Sequence, residues 1–350
     1  MPSFSPQAPF AFAAIVAALG YASGAKAQQQ PQGFAVERLY PSAPGGGWFV
    51  MDNLDMRGGL GGAMALTSGY SKNALRVTDG SRHLAVVSDN AFADLGFAVT
   101  YDRWRLYVNL QMPLLTSGQS GIVGDYQFDA PSVDLGSHPD TLSDVRIGAD
   151  GRLFGDASSP LRLGASAQLF VPNGNRAESD IDGNRHAQYG TDGTYRAMGR
   201  MLVAGDIGRF IYAGQLGMHV RPLDDSPIPG SPRGSELLFG VAAGRKFSLG
   251  GNRNEAVVIG PEIYGETAFK SFLGSTTTGL EGLLTGRLEG TADHGAQLRI
   301  KLGAGAGLNP HFGAPAWRIV LALELFDYVA PIASRTSDTD GGPRVSTNIE

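Results

Sequence analysis

Much of the chain alternates with a period of two. Trp104, Leu106, Val108, Leu110 and Met112 interleave with Arg105, Tyr107, Asn109 and Gln111. Val145, Ile147 and Ala149 do so with Arg146, Gly148 and Asp150, and the pattern returns in Leu161–Val171, Phe210–Val220 and Ile319–Leu325. Successive side chains of a strand point to opposite faces, so this period marks strands with one apolar face. No helical period runs to comparable length, and the fold class is all-β.

The apolar phase lasts about ten to thirteen residues per strand, longer than the five or six usual in soluble sheets. It matches the ~9–11 residues with which a tilted strand crosses a bilayer. Strands are predicted over 54–78, 82–101, 104–116, 142–154, 160–171, 195–205, 209–221, 235–247, 256–269, 278–290, 295–306 and 315–326. Short turns (102–103, 155–159, 206–208, 248–255, 291–294) alternate with long Gly-, Pro-, Asp- and Ser-rich loops at 117–141, 172–194 and 222–234. That asymmetry defines a transmembrane antiparallel up-and-down β-barrel. An even count, about 12, leaves no sheet edge in lipid and puts both ends of the barrel on the short-turn, periplasmic side. The barrel is assigned to 53–327, a periplasmic segment to 28–52 and a disordered periplasmic tail to 328–350.

Composition sharpens this picture. Charged residues make up only 17% of 350, as expected where half of each strand faces lipid, and the 50 glycines suit a curved sheet. The absence of Cys excludes disulfides and thiolate metal sites. A pI near 5.7 gives no footprint for nucleic acid. Residues Phe10–Gly24 form a short apolar run, and Ala25-Lys26-Ala27 fits signal-peptidase cleavage after Ala27. The expected location is the outer membrane. The expected partners are the barrel-assembly machinery, outer-membrane lipids and lipopolysaccharide.

The polar phase then faces the lumen, because a charge on the lipid face costs ~2–4 kcal/mol at the bilayer midplane. Arg105, Arg146, Arg152, Arg162, Arg196, Arg200, Arg287, Arg299, Lys301 and Arg318 are placed inside, with Asp150, Glu262, Glu266, Glu281, Glu289 and Glu324. Two readings follow: ion pairs that fill and close the barrel, or a charged pore that selects solutes. Aromatics at Trp104, Phe154, Phe210 and Phe326 suit a periplasmic girdle, and Trp317 and Tyr189 the opposite rim.

Other chemistry is sparse. Most histidines fall in turns and loops; His219 points inward by phase, with no Ser and carboxylate arranged as a triad, so no enzyme is expected. Gly303–Gly307 (GAGAG) lacks the Lys-Ser/Thr and helix of a phosphate loop. Asp180, Asp182 and Asn184 start like a calcium loop but lack its later Gly and Glu. No cofactor is expected.

Several stretches resemble the N-terminal barrel of OmpA-family outer-membrane proteins. They are Trp48-Phe49-Val50-Met51-Asp52-Asn53-Leu54, Trp104-Arg105-Leu106 with Asn109–Leu114, Asp144–Asp150, Ala204–Gly208, Gly260–Gly265 and Thr277–Glu281. The resemblance spans about residues 34–330 and implies a membrane barrel. Family members continue into Asp-rich repeats and a peptidoglycan-binding domain, of which Ser337–Gly341 resembles only the linker. The expected role is envelope structure or passive diffusion of small solutes. The alternatives are a selective transport channel with a charged lumen and a soluble periplasmic β-protein.

Overall fold

The computed structural model describes residues 33–80, 82–124, 126–131, 133–134, 143–179, 185–223, 234–249, 255–291, 296–309 and 313–328. Twelve long antiparallel strands form one closed barrel. They are β1 (Leu60–Asp79), β2 (Arg82–Tyr101), β3 (Trp104–Ser117), β4 (Val145–Phe154), β5 (Arg162–Val171) and β6 (Arg196–Ile207). After them come β7 (Phe210–Val220), β8 (Glu236–Ser248), β9 (Ala256–Ala268), β10 (Thr278–Thr291), β11 (Gln297–Asn309) and β12 (Trp317–Tyr328). Each strand pairs with its sequence neighbours, and β12 returns to β1 in a ladder from Gly61↔Tyr328 to Lys72↔Trp317. Closure leaves no unpaired edge among these strands, which is what lipid demands.

Alternation sets which face looks outward. On β12, Ile319, Leu321, Leu323 and Leu325 are 41–52% exposed, whereas Val320, Ala322 and Glu324 between them are at most 1% exposed. The polar phase is thus buried and the apolar phase forms the outer surface, the inverse of a soluble sandwich. Trp104, Phe154 and Phe210 stand exposed at the short-turn end and Trp317 at the other. Phe326 and Tyr189 depart from the girdle expectation. Phe326 lies inside with the Arg299 guanidinium 4.7 Å from its ring centroid, and Tyr189 packs edge-on against Phe34 at 6.0 Å.

The first strand begins six residues later than 54. Gly58 and Gly59 both have positive φ, so the chain there turns sharply and enters the ladder only at Leu60. β1 and β2, at 20 residues each, span about 66 Å and overshoot a bilayer. Their outer halves supply Ala74, Leu75, Val77, Val86 and Val87 to a second apolar cluster with Phe34, Val36, Val123 and Phe128. Closed barrels of this kind resist detergent until heated. We expect the folded chain to run faster on SDS gels before boiling than after, and unchanged migration would count against a membrane barrel.

Candidate functional site

Twelve strands about 4.8 Å apart and tilted ~40° enclose a backbone cylinder about 24 Å across, too wide for wall side chains alone to fill. Residues 33–59 occupy the space. The sequence pattern leaves 28–52 in the periplasm; instead the described part of that stretch runs down the lumen. It starts at the long-loop end, where Gly33 N donates to Arg176 O and Ala35 N to Asp192 Oδ1. It ends at the short-turn end, where Asp102 N donates to Gly59 O.

Apolar side chains anchor the middle of the segment. Trp48, Phe49, Met51, Leu54 and Met56 are 0% exposed, in one cluster with the inward-facing Leu202, Ile211, Val258, Leu283 and Val320 of the wall. Wall glycines make the sockets. A Cβ on Gly244 would lie 2.6 Å from the Trp48 ring, one on Gly303 2.8 Å from the Phe49 ring, and one on Gly164 2.9 Å from Leu54. Gly240 meets Met51 in the same way. The GAGAG stretch thus includes a seat for an aromatic ring, and the glycine excess follows partly from the segment. A Gly303→Val substitution meets the Phe49 ring first and should destabilise the seat by about 1–3 kcal/mol. The chain has no Cys, so faster thiol labelling of a Val50→Cys reporter would reveal the loosening; an unchanged rate would refute the socket.

Wall charges hold the backbone of the segment. Glu262 accepts hydrogen bonds from the amides of Phe49 (2.9 Å) and Val50 (3.0 Å), one on each carboxylate oxygen, and from Thr285 Oγ1. Lys301 Nζ donates to Trp48 O at 3.0 Å and lies 5.1 Å from the Phe49 ring centroid. Arg287 sits over the Trp48 ring at 5.0 Å. Arg162 Nε donates to Asn53 O at 2.8 Å, and Arg152 Nη1 to the carbonyls of Leu54 and Met56. Arg105 pairs with both Asp52 and Asp150, and Arg318 with both Glu37 and Glu281. Leu54 takes a positive φ of 53°, a conformation costly for a branched side chain, held by its carbonyl bond to Arg152 and by Asp52 Oδ1 on its amide.

Of the sixteen charged positions placed inward from the sequence, all but Glu289 are buried, and Glu289 is half-buried beside Arg287 and Arg299. They fall into two groups. Arg105, Arg152, Arg162, Glu262, Glu266, Arg287, Arg299, Lys301 and Arg318 touch the lumen segment. The others interact chiefly within the wall: Arg200 donates to Ser166 and Gln215, Arg196 pairs with Asp144, and Glu324 pairs with Arg299 and Lys301. Arg146 is 3% exposed with neither terminal nitrogen hydrogen-bonded, and it lines a cavity of about 50 Å³ with Asp94, Asn109, Ser143 and Asp144.

Sequence periodicity missed Glu37, Arg38 and Asp52 of the segment, together with Asp192 and Arg221. Asp192 Oδ1 accepts from Ala35 N and from Arg221 Nη2 at 2.6 Å. Burial raises the Asp192 carboxyl, but Arg221 and Arg196 outweigh it and hold the group well below the usual carboxylate range. The signal available for the segment was its cluster of apolar residues outside any alternating stretch. The acidic-loop residues Asp180, Asp182 and Asn184 lie outside the described residues.

A closed antiparallel barrel with an apolar exterior and a charged interior defines an outer-membrane β-barrel. The structure is similar to an outer-membrane channel from Pseudomonas putida F1, with 13% identity over 77% of this chain and 95% of that one, at a TM-score of 0.47. It is also similar to the CymD monoaromatic hydrocarbon channel, at 8% identity over 79% and 90% of the two chains and a TM-score of 0.38. A third match is LpxR from Salmonella typhimurium, at 9% identity over 76% and 100% and a TM-score of 0.36. No protein-family model and no curated protein matches the sequence. The closed barrel gives the outer-membrane barrel class, and no match supports the narrower OmpA-family assignment. The expectation that the chain is not an enzyme is corrected here: a barrel fold by itself carries no exclusion of catalysis.

Proposed function

We propose that the chain is an exported outer-membrane barrel for the passage of small solutes, closed at rest by its own N-terminal segment. Export would follow signal cleavage after Ala27. One observation carries the reading: residues 48–56 fill the lumen without contributing to the barrel ladder, which starts at Leu60. The segment is joined to the wall by side-chain contacts and a few hydrogen bonds, so it can leave with every strand pairing intact. Departure would uncover a polar, charged wall able to take up water. The envelope-structure reading draws support from the apolar seat, which resembles a permanent core.

Selectivity tests passage. In an opened variant, neutralising Arg146, Arg162 and Arg200 together should shift the reversal potential in a salt gradient toward cations, since those guanidiniums line one side of the lumen. An unmoved reversal potential would sink the charged-pore reading, and absence of conductance in every opened variant would favour the structural one.

A further inference from the structure

Three adjacent strands bring His219, Glu236 and Glu266 to one point inside the long-loop end of the barrel. His219 on β7 pairs across from Glu236 on β8, and Glu266 on β9 pairs across from Leu238, two residues along on the same face. All three are buried, at 0%, 0% and 5% exposure. One donor atom from each lies within 4.8 Å of the other two.

The polar atoms are turned toward one another and left over. Neither ring nitrogen of His219 has a hydrogen-bond partner, nor has Glu236 Oε2. His219 Nδ1 lies 3.5 Å from Glu266 Oε1 and 3.9 Å from Glu236 Oε2. The second oxygen of each carboxylate faces guanidinium groups: Glu236 Oε1 meets Arg221 at 3.0 Å and Arg38 at 3.3 Å, and Glu266 Oε2 meets Arg38 at 3.2 Å. Stacking on Phe170 at 5.3 Å and an edge contact with Tyr40 at 5.7 Å fix the imidazole plane.

A four-coordinate zinc ion bound at ~2.0–2.2 Å holds its donors about 3.2–3.6 Å apart. The two spacings to His219 Nδ1 need only a few tenths of an ångström of contraction, and the two carboxylate oxygens lie within 4.8 Å of each other. A cavity of about 20 Å³ bordered by Glu266, Arg38 and Tyr40 adjoins Glu266 and has room for one water.

We propose that His219, Glu236 and Glu266 form a binding site for a divalent transition metal of the zinc class. One imidazole and two carboxylates favour such an ion over magnesium or calcium. Arg38 belongs to the lumen segment and holds the other oxygen of each carboxylate, so its charge and a bound cation repel each other there, and metal binding and docking of the segment oppose each other. The site itself does not depend on whether solutes pass through the barrel.

The test is zinc titration by calorimetry of the untagged, full-length barrel folded in detergent, near neutral pH. One equivalent should bind to the intact chain, and His219→Ala and Glu266→Gln should each weaken that binding by about 10–100-fold. Both variants must retain heat-modifiable migration, and cobalt provides an optical readout of tetrahedral binding. Arg38→Gln should tighten the site. Equal binding in correctly folded His219→Ala and Glu266→Gln chains, or no binding by the intact chain and Arg38→Gln alike, overturns the proposal. Weaker binding in Arg38→Gln overturns the competition.

Discussion

A chain lacking residues 33–56 should conduct ions in planar bilayers on the order of tenfold or more above the intact chain. The excised stretch contributes nothing to the barrel ladder, since β1 starts at Leu60 and closure against β12 starts at Gly61. What leaves is the set of side chains that fills the centre, including Trp48, Phe49, Met51 and Leu54. What remains is a wall rich in Arg, Lys and Glu, which water enters readily. Deletion also exposes Leu202, Ile211, Val258, Leu283 and Val320 to that water, at about 1.5–3 kcal/mol for each side chain fully uncovered. Heat-modifiable migration must therefore be checked in the same preparation. A synthetic peptide of residues 33–56 added in trans should lower the conductance again. A folded deletion variant that conducts no better than the intact chain would show that the segment is not what closes the lumen.

Glu262→Ala should release the segment without shortening it. The carboxylate holds two consecutive amides, those of Phe49 and Val50, from a residue 213 and 212 positions away in sequence. It is 0% exposed, so neither amide finds water when the carboxylate is gone. Charge-assisted bonds contribute roughly 1.5–3 kcal/mol each, and the substitution should cost docking about 3–5 kcal/mol. That is about two to three and a half decades in the docking equilibrium, at about 1.4 kcal/mol per tenfold. The Val50→Cys reporter keeps the amide that Glu262 binds, so its thiol-labelling rate reads the change directly. Glu262→Gln, which retains one full acceptor, should fall between. Equal labelling in the wild-type and Ala backgrounds would remove Glu262 from the docking scheme.

The barrel was largely legible in the sequence because lipid imposes its demand locally. Ile319, Leu321, Leu323 and Leu325 must each face hydrocarbon whatever the neighbouring strand contains, so a single strand displays the pattern by itself. The same logic placed Arg105, Glu262 and Lys301 inward. The girdle expectation failed at Phe326, which stands in the inward phase with Val320, Ala322 and Glu324 and lies beneath Arg299. The strand pattern failed at 54–59 as well, where Gly58 and Gly59 bend the chain before the ladder starts.

The lumen segment was not legible because nothing local requires it. Trp48, Phe49 and Met51 follow neither strand nor helix spacing, and each is held by groups that arrive from distant strands. Gly240, Gly244 and Gly303 are ordinary strand glycines until the rings and the thioether they admit are known. Sequence alone therefore determined an all-β barrel, its strand directions, and which charges turn away from lipid, all consequences of period-two burial against hydrocarbon. Only the tertiary structure decided that the charges and glycines form the seat of the chain's own N-terminal segment. Closing the barrel brings twelve strands around one axis, and only then do Glu262, Lys301 and Arg152 converge on a single backbone.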